Sequence, residues 1–141
     1  MKVLIADDSL YTINCLFEML AIYKQVEIIG IYKNGTDTLA AIRKLKPDLA
    51  IVDIKMPGLS GLEVLKEIRK EEQKIKIIIL TFFSFDYFRQ MALQAGADYF
   101  FSKTDDFEKL SLVVAELVGK EELENNLMVL RNENTKKSNI L

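Results

Sequence analysis

The chain has 141 residues, half of them apolar, with 19 Lys and Arg against 21 Asp and Glu for a net charge of -2; that length fits one domain with a real core. The interspersed charge excludes the concentrated basic face that a nucleic-acid backbone requires, so no direct nucleic-acid binding is expected. There is no histidine and only one cysteine, Cys15, which excludes Ser-His and Cys-His catalysis, imidazole ligation, an internal disulfide and a thiolate metal site.

In chain order, Val3-Leu4-Ile5-Ala6 reads as a short strand that stops at Asp7-Asp8. Ser9 is placed to cap a helix with Ile13, Leu16, Phe17 and Leu20 on its apolar face, and Cys15 in that stretch reads as a buried structural thiol. A strand fits residues 26–32, and Leu39, Ile42 and Leu45 mark a second helix that Pro47 ends. Leu49-Ala50-Ile51-Val52 is a third strand, ending at Asp53. Pro57 and Gly58 make a turn, and Ser60 with Glu63 has capping-box spacing ahead of a helix faced by Leu62, Leu65 and Ile68. Ile77-Ile78-Ile79-Leu80 leads to Thr81, then to a helix faced by Phe88, Met91, Ala92 and Ala95 and stopped by Gly96. Tyr99-Phe100-Phe101 leads to Lys103, and Leu110, Val113, Val114 and Leu117 mark the fifth helix. After Gly119 the pattern weakens: Leu123, Leu127 and Leu130 have the spacing of a short amphipathic helix, and residues 131–141 are polar enough to be mobile. The chain thus divides into a domain over residues 1–118 and a short, partly helical or disordered tail over 119–141. No apolar run approaches membrane-spanning length and residues 1–6 are too short for a signal-peptide core, so a cytoplasmic protein without membrane association is expected.

Five βα units in a row resolve as a parallel sheet with helices on both faces, a three-layer flavodoxin-like α/β architecture. The order 2-1-3-4-5 puts strands 1 and 3 side by side with their helices on opposite faces, so Asp7, Asp8 and Asp53 meet at the switch point where open α/β sheets bind ligands. Clustered carboxylates raise one another's pKa unless a cation compensates. With oxygen donors alone, Mg²⁺ fits best. Lys103 and Thr81 add a point charge and a hydrogen-bond donor, as a phosphoryl group requires. Asp53, alone on the middle strand, is then the candidate nucleophile, forming an aspartyl phosphate.

MKVLIADDS, VDIKMPGLSGLEVLKEIR, ILTFFS and AGADYFFSK closely resemble the receiver domain of two-component response regulators, over roughly residues 1–118. The resemblance implies a signalling switch rather than an enzyme, one that supports its own Mg²⁺-dependent phosphorylation and slow dephosphorylation. Carried over by position, Asp53 is the phosphoacceptor, Asp8 a direct Mg²⁺ ligand, Asp7 a ligand largely through water, and Lys55 a ligand through its backbone carbonyl. Thr81 and Lys103 correspond to the phosphate-sensing pair, and Phe100 to the aromatic that rotates inward on activation. The phosphodonor is then a sensor histidine kinase or phosphotransfer protein. Output is expected as self-association or effector binding through helix 4, strand 5 and helix 5.

Three departures stand out. Thr104 follows Lys103 where the family usually has proline, so no cis peptide is expected there. Phe82 follows Thr81 where a small residue is usual, narrowing the approach to the phosphate. Lys55 and Phe83 occupy the two positions that tune hydrolysis in this family, and the bulk of Phe83 suggests a longer-lived phosphoryl state.

Blander readings hold for many of these residues singly. Asp37, Asp48 or Asp98 alone is best read as ordinary surface charge, and Phe100 is as readily a static core residue as a switch. Ordinary surface charge and capping do not explain Asp7, Asp8 and Asp53 together. A flavodoxin would carry a Ser/Thr/Gly-rich phosphate loop after strand 1, and a dinucleotide binder GxGxxG; a haloacid-dehalogenase-type phosphatase would separate its two aspartates by one residue. Asp7-Asp8-Ser9-Leu10 matches none of these. The aromatic run over residues 82–88 exceeds what one helix face can bury, and Phe85 and Tyr87 are the expected exposed anchors.

Overall fold

The computed structural model describes the backbone of residues 1–140 and the side chains of residues 1–136. The elements alternate throughout: β1 (Lys2–Ala6), α1 (Leu10–Leu20), β2 (Glu27–Tyr32), α2 (Gly35–Leu45), β3 (Leu49–Val52), α3 (Gly61–Glu71), β4 (Lys76–Thr81), α4 (Asp86–Gln94), β5 (Tyr99–Ser102) and α5 (Phe107–Ile140). All strand pairs are parallel and the order is β2-β1-β3-β4-β5, as the sequence predicts. Among the described residues no helix is long and apolar enough to cross a membrane.

Strand alternation sorts the core into two layers. Leu4, Ala6, Ala50, Val52, Ile77, Ile79 and Phe100 face α2, α3 and α4, meeting Leu39, Ile42, Leu62, Leu65, Ile68 and Ala92. Val3, Ile5, Leu49, Ile51, Ile78, Leu80 and Phe101 face α1 and α5, meeting Ile13, Leu16, Leu20, Leu110, Val114 and Val118. Because both sheet faces are covered, the central strands read as unbroken apolar runs. Each fully buried Leu, Ile or Val contributes roughly 1.5–3 kcal/mol, so this sheet is the rigid part of the molecule.

The helix boundaries follow local chemistry. Ser9 Oγ accepts the Thr12 N–H at 3.3 Å. The Ser60–Glu63 box closes in both directions, at 2.8 and 3.2 Å. Asn34 caps α2 by accepting the Asp37 N–H at 2.8 Å. Before Pro47, Lys46 takes the left-handed conformation, with φ of 47°, to close α2, and Gly96 does the same after α4 at φ of 105°. Gly61 is forced for a different reason. A Cβ there would lie 2.0 Å from the Asp53 carbonyl oxygen, so only glycine lets α3 begin against the loop that carries Asp53.

Three expectations need correction. Phe17 is 41% exposed, because α1 lies on the sheet along the narrow stripe Thr12, Ile13, Leu16 and Leu20. Cys15 is half-buried rather than buried. Helix α5 does not break where the apolar pattern weakens: it passes through Gly119, around which a Cβ would meet nothing within 4 Å, and continues to Ile140. Residues 131–140 prolong this helix, and Leu141 lies outside the described residues.

Candidate functional site

The parallel register brings the chemistry together. Ala6 pairs with Val52, and the ladder extends one step past both strands: the Asp53 N–H donates to the Ala6 carbonyl and the Asp7 N–H to the Tyr32 carbonyl, both at 2.9 Å. On the other side the Lys103 N–H donates to the Thr81 carbonyl at 2.9 Å. Asp7, Asp53, Thr81 and Lys103 therefore leave the sheet at one edge.

There the Lys103 ammonium lies 2.8 Å from Asp7 Oδ2 and 2.8 Å from Asp53 Oδ2. All three side chains are buried, Lys103 and Asp7 to 3% exposure. Asp7 Oδ1 accepts the Ser9 N–H at 2.8 Å. Burial pushes the Asp7 carboxyl above its usual range, and the neighbouring Asp53 charge adds to this, while hydrogen bonds from Lys103 and Ser9 pull the other way. For Lys103 burial disfavours the ammonium, but its hydrogen bonds to Asp53 and Asp7 outweigh that and hold its pKa above the ordinary value.

Asp53 Oδ1 is buried without a hydrogen-bond partner. Such an atom is costly unless something else satisfies it. Asp8 is exposed at the rim, and one carboxylate oxygen from each of Asp7, Asp8 and Asp53 lies within 4.8 Å of the others. This all-oxygen set suits a hard divalent cation, because three carboxylates converge there and the buried Lys103 ammonium pairs with only two of them.

The two residues after Thr81 form the wall of the site. The Phe82 ring centroid is 5.1 Å from the Lys103 ammonium, and that of Phe83 is 5.7 Å from the Lys55 ammonium. Together with Asp8, Ser9 and Asp53 these four residues line a pocket of about 230 Å³. Phe82 thus narrows the pocket from above while remaining 62% exposed itself. Thr81 is fully buried, and its Oγ1 accepts the Phe83 N–H at 3.1 Å, which turns the chain towards the rim.

Phe100 is inward, 3% exposed, on the face towards α4. Arg89 covers its ring at 5.0 Å and donates to its carbonyl at 3.3 Å. Among the described residues there is no cis peptide, and other bonds fix the Lys103 loop. Asp106 Oδ2 accepts the Ser102 N–H at 2.9 Å, while the Asp106 N–H donates to the Ser102 carbonyl at 3.0 Å. Sequence reasoning passed over both Arg89 and Asp106. An Asp directly ahead of the fifth helical pattern was a legible cap signal; Arg89 carried none.

The aspartates read singly as plain charges have structural partners. Asp98 accepts from Arg69 at 2.9 Å and from the Ile77 N–H at 2.8 Å, Asp48 accepts from the Lys2 N–H at 2.7 Å, and Asp37 from Asn34 at 2.7 Å. As expected, Phe85 and Tyr87 are exposed, at 69% and 67%, and both rings pack on half-buried Phe88, with centroids 6.5 and 5.5 Å away.

Comparison with known proteins converges on one family. A model of the response regulator receiver domain matches residues 3–115. The chain is 33% identical to response regulator GacA of Pseudomonas aeruginosa over 109 residues, covering 77% of this chain and 51% of that protein. It is 35% identical to the transcriptional regulatory protein YvfU of Bacillus subtilis over 117 residues, covering 83% of this chain and 58% of that protein. A LuxR-family DNA-binding response regulator from Staphylococcus aureus superposes with a TM-score of 0.75 at 31% identity, over 83% of this chain and 98% of that one. The chain spans about half the length of the curated relatives it matches.

Proposed function

Because this chain belongs to the response regulator receiver domain family of two-component signalling, we propose that Asp53 is its phosphoacceptor. The observation that carries this reading is the asymmetry of the Asp53 carboxylate: Lys103 holds Oδ2, and Oδ1 is buried with no partner. Oδ1 is the oxygen with lone pairs to spare for attack on phosphorus. The new Asp53 O–P bond forms as the bond from phosphorus to the donor breaks, and the donor leaves with that electron pair. Asp7, Asp8 and Asp53, with the Lys55 backbone carbonyl, would hold Mg²⁺, which when bound supplies positive charge for the incoming phosphoryl oxygens.

Once Asp53 is an acyl phosphate its carboxylate charge is gone and the negative charge lies further out, on the phosphoryl oxygens. Lys103 then pairs with those oxygens while retaining Asp7, and the Thr81 hydroxyl donates to the same group from the adjoining strand. Phe82 keeps the ammonium covered and restricts the mouth of the pocket. Phe83 screens the group from water, favouring a long-lived phosphoryl state. Phe100 and α4 are the elements that respond. A sensor histidine kinase or phosphotransfer protein supplies the phosphoryl group in the cytoplasm, and output runs through self-association or effector binding at α4, β5 and α5.

Two measurements test this. Incubation with acetyl phosphate and Mg²⁺ is expected to add one phosphoryl mass to the intact chain, and excess EDTA to abolish it; undiminished phosphorylation in EDTA would show that the acidic cluster is no metal site. The second concerns output. Ala92 is the one fully buried residue of α4, with Phe88 and Met91 packed half-buried on the same core, so this helix is less deeply anchored than α2 or α3. Beryllofluoride with Mg²⁺ should change hydrogen-exchange protection across residues 82–118. Unchanged protection there would remove α4, β5 and α5 from the output surface.

A further inference from the structure

Val118 is the last buried residue of α5 among those described. Two contacts follow on the next turn, from Glu121 to the Met1 amino group at 2.9 Å and from Gln25 to Glu122 at 3.4 Å. Beyond them the helix runs on with Leu123, Leu127 and Leu130 exposed at 59%, 44% and 55%. At about 100° per residue these leucines fall within one narrow arc, on the side of the helix away from Val114 and Val118. Their spacing of four and then three residues is that of a and d positions in a helix pair. Among the described residues, Asn126 is the last of this helix to border a groove shared with the domain; a helical segment running on past it is marginal in water, and the apolar stripe supplies what a partner helix would cover.

We propose that the stripe is a self-association site, covered by a second copy running antiparallel, with Leu127 of each against Leu130 of the other and Leu123 against Asn134. Charge decides the occupant and the direction. Glu124 and Arg131 lie on one flank of the stripe, seven residues apart. In an antiparallel pair that sets Leu127 of each copy against Leu130 of the other, Glu124 of each also faces Arg131 of the other, giving two symmetric ion pairs. The opposite flank then sets Asn126 against Glu133. A parallel pair would instead place Glu124 beside Gly119 and Arg131 beside Asn126, without an ion pair, and would stack Lys120 on Lys120 within the seam. The acidic and basic halves of one helix thus complement themselves only when reversed. This surface is separate from α4 and β5 and needs no phosphoryl group.

Sedimentation of the unphosphorylated full chain over a concentration series should give a dimer that dissociates on dilution. Leu127→Ser with Leu130→Ser should abolish it; both residues are exposed, and an unchanged thermal midpoint would show that the domain remains folded. Glu124→Arg or Arg131→Glu alone should weaken self-association roughly tenfold, since two attractive pairs become repulsive. An equimolar mixture of the two variants should recover the dimer as a heterodimer. A chain that stays monomeric throughout, or a dimer that survives the two serines, overturns the proposal. Charge variants that associate like the parent overturn the antiparallel arrangement.

Discussion

Asp53→Asn should take up no phosphoryl group under conditions that fully modify the parent chain. The substitution keeps the size and shape of the side chain, and its amide oxygen still accepts a hydrogen bond from Lys103, which now lies 2.8 Å from Asp53 Oδ2. What disappears is the nucleophile: an amide offers no anionic oxygen to bond to phosphorus. The fold should not suffer. Asp53 contributes a repulsive interaction to Asp7, which neutralising it relieves, and the Lys103 ammonium keeps Asp7 as its charged partner at 2.8 Å. Intact-mass measurement reads the adduct, and thermal unfolding provides the control. An adduct of phosphoryl mass on a folded Asp53→Asn protein would move the acceptor to another residue and sink the assignment.

Lys103→Ala should be the most damaging substitution at the site that still leaves a folded chain. Its ammonium is the cation 2.8 Å from both Asp7 and Asp53 in a buried setting. Breaking a buried pair by removing one partner costs about 3–5 kcal/mol, because the surviving charge is left uncompensated. The exposed rim at Asp8 admits solvent and should bring the loss towards the lower end. The pH dependence has a definite sign. The Asp7 carboxyl already sits above its ordinary value, and losing Lys103 raises it further. A carboxyl raised in the folded state favours folding at low pH, and that contribution is lost as pH rises through the folded value. The stability deficit of Lys103→Ala should therefore be small in acid and grow towards neutrality. Mg²⁺ should restore more of the thermal midpoint in the variant than in the parent, since it supplies the missing positive charge. Phosphorylated Lys103→Ala should also fail to show the change in protection over residues 82–118. A variant as stable as the parent at neutral pH and equally responsive would show that Lys103 neither balances the acids nor senses the phosphoryl group.

Much of this arrangement was legible because it is local. Ser9, and Ser60 with Glu63, announce helix starts through contacts three residues apart. The apolar runs ending at Asp7, Asp53, Thr81 and Lys103 announce strand ends, and parallel topology then requires those residues to share an edge. Exposure of Phe85 and Tyr87 was also readable, since one helix face cannot bury a continuous aromatic run.

Other features needed the assembled chain. The helical pattern of α1 admits Phe17, yet only the crossing of α1 over the sheet decides that Phe17 lies outside the stripe. Composition after Gly119 looks like a helix end, but the backbone hydrogen-bond ladder continues where no tertiary contact stops it. Arg89 over Phe100, and Phe82 over Lys103, join residues on different elements, and no periodicity encodes such a meeting. The amino-acid sequence by itself determined the alternation of strands and helices, their parallel sense and the set of residues at the strand ends, because short-range geometry and alternating burial leave few other solutions. Only the tertiary structure decided how one ammonium is shared between Asp7 and Asp53 and which Asp53 oxygen is left without a partner. Those outcomes depend on ångström-scale distances between residues about 50 positions apart, set by packing of the whole core.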